Sequence, residues 1–401
     1  MNVLMLSIGH PSVDGKVNET VRRHIDYAKA IQGQIHLICY APASARELPR
    51  QFDGQFFVYN AGAANMLSYV WNCYLKAAKL MQEISFDLIY TQDPFGTALV
   101  GGWLKKRFNV PVIVGNHSSF IDNPYWVKER PLLFRLFNII ARFNLRHADA
   151  LKSVGNEEKL NYIRLLNIDP SIIYVQNTPL KIDLFSLPVD AVRIKETRAL
   201  LNITEQDTLL IWVGRPVKPK RLNWLLHALE YIIKKRPHVK LLLIGNKSLL
   251  PENDEVQTLI QKPSLKEHVI WLEKGVPNHE LPTYYQASDI YVHTASYEGL
   301  CKTILEAAAS GLPVVTTRFS GLDQSMIDGE TGFIVPVEDQ EAWVDAVIRL
   351  TDDRALANKM GKKGRDFVVA HFNYEQGVKN LTGKWQQVAR QYKNKEKICV
   401  A

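Results

Sequence analysis

The chain has 401 residues, too many for one ordinary core and the right number for two domains. Apolar residues make up 46% and charged residues 22%, which excludes a disordered chain, while four cysteines at 39, 73, 301 and 399 with no close pair exclude a disulfide framework and a zinc-ligand spacing. Lys and Arg exceed Asp and Glu by 49 to 41, a net charge of +8, and residues 1–185 hold 20 basic against 15 acidic side chains; this balance suits a phosphate-bearing substrate or an anionic membrane surface, and nucleic acid has only net charge in its favour.

In chain order, the apolar opening at residues 2–7 lacks a basic lead and reads as a first strand, not a secretory signal. Apolar spacings of three and four then predict helices over 17–31, 63–83 and 96–108, and one long helix over 124–146. Strands fall at 34–40, 87–90, 111–115, 148–153 and 172–176. The apolar run 131–143 is broken by Arg135 and Arg142, so it is too short to span a bilayer and is expected to pack in the core. Pro179 and Pro188 interrupt both periods over 177–193 and mark a linker. A second series follows, with strands at 208–213, 239–244, 269–272, 289–293, 313–317 and 333–335, and a helix over 222–235. The stretch 374–393 reads as a closing helix that packs back across the first domain. Alternating strands and helices predict an α/β chain of two tandem Rossmann-like, doubly wound domains facing a cleft: 1–185, 186–373, and a closing helix and tail over 374–401.

Ligands of such sheets lie beyond the carboxyl ends of the strands, so the loops there carry the chemistry. After the strand ending at His293 come an acidic loop, Glu298-Gly299, and a helix opening near Leu300 and closing at Gly311. Backbone amides from Gly299 through Leu300, Cys301 and Lys302 to Thr303 favour an anion such as a diphosphate. Glu306, less than two turns inside, reaches back to the helix mouth because Cα–Cβ bonds tilt that way, and there it can accept from a ribose diol. The strand ending at Val213 leads into Gly214-Arg215-Pro-Val-Lys-Pro-Lys-Arg221, four cations within seven residues on a loop stiffened by two prolines, which reads as a phosphate clamp.

Gly214-Arg215 with Lys220, Glu298-Gly299 and Glu306-Ala307 leading to Gly311-Leu-Pro-Val-Val, and Asp328-Gly-Glu-Thr-Gly332 together resemble the retaining glycosyltransferases of family four, with their E-x7-E motif. The resemblance covers most of 205–345 and continues more faintly through the N-terminal half. It implies the GT-B fold, an acceptor-binding first domain and a second domain that binds a nucleotide-sugar donor. It further implies that Arg215 and Lys220 bind the diphosphate, that Glu298 contacts the donor sugar and Glu306 the ribose, and that His117 is the active-site histidine. Gly15 then belongs to a loop lying near phosphates and acceptor.

The chemistry expected is transfer of a hexosyl-type sugar from a nucleotide diphosphate to a hydroxyl of a glycan, lipid-linked or small-molecule acceptor, with retention and without a protein nucleophile. No D-x-D occurs, so cations and amides, rather than a metal, are expected to take the charge of the leaving diphosphate. Competing readings are a sugar-nucleotide epimerase or phosphorylase of the same architecture and a catalytically inactive nucleotide-sugar-binding protein; G-x-G-x-x-G is absent, against nicotinamide chemistry. A cytoplasmic location is expected, since such donors are made there, with peripheral contact at an anionic inner membrane face as an additional reading.

Overall fold

The computed structural model describes residues 1–11, 16–40, 50–251 and 254–400, the side chains of 50 and 396–400 excepted. It resolves into two compact units, Met1–Pro179 with Tyr374–Ala401, and Leu180–Asn373. Each is a parallel sheet covered by helices on both faces, the tandem Rossmann-like architecture expected from the alternating pattern.

The described residues of the first unit form eight strands: β1 (Asn2–Ser7), β2 (Gln34–Cys39), β3 (Arg50–Phe52), β4 (Phe56–Asn60), β5 (Leu88–Thr91), β6 (Val112–Gly115), β7 (Ala150–Ser153) and β8 (Ile173–Val175). Their order is β3-β4-β2-β1-β5-β6-β7-β8, parallel except for β3. The chain therefore reverses its direction of travel across the sheet between β1 and β5. β3 and β4 are absent from the sequence reading. Asp53 and Gly54, both at positive φ (52° and 66°), make the turn that folds β3 back on β4, and this Asp-Gly between two aromatic runs is the signal that could have found the hairpin.

The helix expected over 124–146 is two, Pro124–Glu129 and Pro131–His147. Arg130 sits at φ −146°, ψ 77° because the ring of Pro131 bars the helical region to the residue before it. The second of these helices meets the expectation of core packing on one face only. Asn138, Ala141, Asn144 and Leu145 face inward, while Leu132, Leu136, Ile139 and Phe143 lie on one exposed stripe.

The second unit carries β9 (Thr208–Val213), β10 (Val239–Ile244), β11 (Val269–Leu272), β12 (Ile290–His293), β13 (Val314–Thr317) and β14 (Gly332–Val335), all parallel, in the order β11-β10-β9-β12-β13-β14. Its reversal lies between β9 and β12. Apolar clusters fill both faces, one around Trp212, Leu229 and Trp343, the other around Leu209, Tyr285, Ile304 and Val314. The first unit ends at Pro179 and not at 185, because Ile182 and Phe185 are buried in the second of these clusters. The final helix, Tyr374–Val400, belongs to the first unit and buries Val378, Leu381 and Trp385 there.

Candidate active site

In the second unit the singled-out residues gather at the carboxyl ends of β9 and β12, where strand order reverses. After β9, a 3₁₀ turn over Lys218–Lys220 carries the lysine forward, and the turn is tied to the neighbouring loop. The Thr294 hydroxyl donates to the Lys220 carbonyl (2.8 Å), and the Ser296 amide to the Pro219 carbonyl (2.9 Å). The Glu298-Gly299 segment is pressed from its other side by the loop after β13: a Cβ on Gly321 would lie 2.1 Å from the Gly299 carbonyl oxygen, so only glycine fits there.

These supports bring Lys220 and Glu298 into direct contact, Nζ to Oε2 at 2.5 Å. His293, the last residue of β12 and wholly buried, places Nε2 3.2 Å from the same carboxylate oxygen and 3.3 Å from the ammonium. Burial alone would raise the Glu298 carboxyl, but the Lys220 charge and then His293 reverse that and hold it well below the usual carboxylate range. Burial likewise opposes the Lys220 charge, and the neighbouring Cys301 sulfur and Glu298 carboxylate outweigh it and raise the ammonium. The pair is ionised at neutral pH.

The helix expected near Leu300 begins at Lys302 and runs to Ala309, with Cys301 at its N-cap making no side-chain cap. Of its first-turn amides, that of Ile304 turns back to the Cys301 carbonyl (3.2 Å), while that of Thr303 makes no hydrogen bond among the described residues. Cys301 Sγ instead lies 3.5 Å from His293 Nε2 and 3.2 Å from Thr303 Oγ1. Glu306 is 2% exposed and points back one turn, as the sequence suggested. Its carboxylate takes the Tyr285 hydroxyl at 3.1 Å, and Lys302 Nζ lies 3.3 Å away. Gly311, at φ +86°, closes the helix. The Arg215 side chain is exposed and makes no hydrogen bond or ion pair among the described residues. Arg221, counted with the basic loop, is turned elsewhere: it donates to the Val337 carbonyl (2.5 Å), pairs with Glu338 and stacks on Trp224.

His293, Glu298 and Cys301 also present three ligand atoms within 4.8 Å of one another. An ammonium already stands among them, at 2.5 Å from Glu298 and 3.3 Å from His293, so a divalent ion would have to displace Lys220 and meet its charge. His293 was missed as a site residue; its place at the carboxyl end of a strand beside the switch point was the available signal.

In the first unit, His117 follows β6 and is exposed, on a loop pinned from beneath by the buried Glu158. Glu158 accepts from Asn116 Nδ2 (3.2 Å) and Ser119 Oγ (2.8 Å), and Asn116 also reaches the Tyr162 hydroxyl (2.6 Å). Gly15 lies outside the described residues.

The profile of glycosyl transferases group 1 matches residues 193–367, and that of Glycosyltransferase Family 4 matches residues 17–182. Together the two matches cover most of the chain and support a glycosyltransferase of the family 4 type. A relative from Escherichia coli, UDP-Gal:alpha-D-GlcNAc-diphosphoundecaprenol alpha-1,3-galactosyltransferase, is 26% identical over 76% of this chain and 76% of its own length. Among solved structures, sucrose-phosphate synthase from Thermosynechococcus elongatus matches with a TM-score of 0.80 at 22% identity, covering 97% of this chain and 99% of that one. Anabaena HepE in complex with UDP-glucose matches with a TM-score of 0.72 at 20% identity, covering 96% and 99%. These likenesses make the fold GT-B. The group 1 match spans Arg215, Lys220, Glu298 and Glu306 of this glycosyltransferase, and the family 4 match spans His117.

Proposed function

We propose that the chain is a retaining hexosyltransferase that uses a nucleotide diphosphate sugar, acts on a hydroxyl of a glycan, lipid-linked or small-molecule acceptor, and needs no metal. The half-buried Lys220–Glu298 pair at the β9/β12 switch point carries this reading. Cleaving a sugar–phosphate bond builds negative charge on the departing diphosphate, and Lys220, the exposed Arg215 side chain and the Thr303 amide at the helix mouth are the groups that can receive it. Glu298, kept ionised by that lysine, is suited to hold sugar hydroxyls and to favour a cationic anomeric centre. Glu306, firmly seated between Tyr285 and Lys302, is the candidate for the ribose. The leaving phosphate would take the acceptor proton on the same face, so no protein nucleophile is required. The UDP-galactose donor and diphosphoundecaprenol-linked acceptor in the name of the E. coli relative support a UDP-sugar donor and a lipid-linked acceptor.

The test has two parts. Thermal shifts with UDP-, GDP- and ADP-sugars identify the donor, since a ligand far above its dissociation constant stabilises by several kcal/mol. NMR of the first-formed product from an α-linked donor then reads the stereochemistry. An α-glycoside is expected; an initial β-glycoside refutes retention, and epimerised nucleotide or sugar phosphate refutes glycosyl transfer. Removing one preorganised charge-stabilising group costs about 10²–10³ in kcat, and Arg215→Ala, which disturbs no internal partner, is expected to fall in that range with an unchanged melting temperature.

A further inference from the structure

A cavity of about 240 Å³ in the first unit is not used by the donor chemistry. It opens at the carboxyl edge of the sheet, where Met5 of β1, Gln92 after β5, His117 after β6 and Lys152 of β7 meet Thr20 and Arg23 of the helix Glu19–Ala30. This is the β1/β5 switch point, the place where such sheets hold ligands.

Lys152 is the unusual member. Its side chain is 1% exposed, it lines the cavity, and it makes no hydrogen bond or ion pair among the described residues. Arg23 is half-buried on the same wall and equally without a partner there. Among the described residues no carboxylate lines the cavity. His24, also in the wall, is held neutral: burial and then the Arg23 charge lower it to about 4. Burial, with Arg23 adding, lowers Lys152 to about 7. Two cationic side chains sharing this pocket with no acid among the described residues oppose each other until a counter-charge enters. Two positive charges match a phosphate dianion better than a carboxylate, and Thr20, Gln92, His117 and Thr178 supply further polar groups for its oxygens.

We propose that this cavity binds the phosphate group of a phosphorylated ligand through Lys152 and Arg23. That the ligand is the sugar acceptor rests on the glycosyl-transfer reading; the anion site does not.

The full chain, saturated with UDP so that the second unit's cations are occupied, is titrated with inorganic phosphate and with acetate at matched ionic strength. Phosphate is expected to raise the melting temperature and acetate not to. Lys152→Met and Arg23→Gln are each expected to weaken phosphate at least about tenfold, the loss of one charged hydrogen bond, while UDP binding is unchanged. Without phosphate, Lys152→Met is expected to melt at or above the wild-type temperature, because it removes an unbalanced buried charge; a structural lysine would give the opposite. Glycerol 3-phosphate and vesicles of phosphatidic acid in phosphatidylcholine separate the sources. Loss of the former in Lys152→Met marks a soluble phosphate ester and loss of the latter a lipid-borne one, and either supports the site. No phosphate response in the wild type, an equal response to acetate, or a response untouched by both substitutions overturns it. Failure of UDP to bind the wild type would overturn only the donor reading.

Discussion

Glu158 lies wholly buried under the loop that carries His117, and burial raises its carboxyl to about 7 despite the hydrogen bonds from Ser119 and the Tyr162 hydroxyl. A carboxyl raised from 4.5 to about 7 on folding contributes stability that is fully present below pH 4.5 and is lost as pH rises to 7, because the folded state binds the extra proton in that window. The shift corresponds to about 3 kcal/mol at the plateau. Glu158→Gln keeps a neutral group of the same shape, so its stability relative to wild type is expected to climb between those two pH values and then level off. Denaturant melts across that range measure it; a flat difference would show that the carboxyl is ionised in the fold. Neither Glu158 nor Lys152 was legible in the sequence, where Glu157-Glu158 reads as the acidic first turn of a helix and Lys152 as one polar residue in a short strand. Their roles come from burial, which a single chain does not display. Lys220, Glu298 and Glu306 were legible because each stands at a fixed spacing from a strand end or helix start.

At the scale of elements, the helix Pro131–His147 leaves Leu132, Leu136, Ile139 and Phe143 exposed, the first 86% and the third 65%. Their spacing of four, three and four puts them on one stripe, and exposed Lys128, Arg130 and Arg135 flank it. The helix Met66–Glu83 adds exposed Leu67, Trp71 and Leu75 at intervals of four, and Trp103 lies on the intervening helix Gly96–Phe108. An apolar field with a basic border fits an anionic bilayer surface, where apolar side chains insert and cations meet headgroups. Leu136→Glu with Ile139→Glu is expected to abolish flotation with phosphatidylglycerol vesicles at low salt, leaving UDP-sugar thermal shifts intact. Wild-type protein that fails to float at low salt would remove the membrane reading. Most strands and the two-unit plan could be read from alternating apolar runs, since parallel strands buried on both faces are continuous in hydrophobicity. The sequence assigned the 131–147 helix to the core and could not show that one face stays exposed, because a periodic stripe looks the same whether a core or a membrane covers it.

For the whole molecule, the chain builds most of one unit, then the second, and completes the first only with its last helix. Trp385 is fully buried there, 5.5 Å from the Tyr27 ring and 5.0 Å from the Tyr90 ring, so residues more than 290 positions apart share one core. Tyr392 on Asn109 (2.8 Å) and Lys393 on Asp87 (2.5 Å) tie down the far end of the same helix. Contacts of such sequence separation form late, since the loop between them must close first. Trp385→Ala removes a large side chain from a closed core at a cost of about 3–5 kcal/mol. Because the described residues that cluster with Trp385 belong to the first unit, that loss is expected to fall unevenly. Hydrogen exchange should accelerate in β1, β5 and the helix Glu19–Ala30, whose side chains surround the indole, and stay near wild-type rates in β9, β12 and the helix Lys302–Ala309. UDP-sugar binding, assigned to the second unit, should persist at temperatures where the first has begun to open. Equal acceleration in both units would show that they unfold as one cooperative body, and no acceleration in the first would show that the last helix is not part of its core.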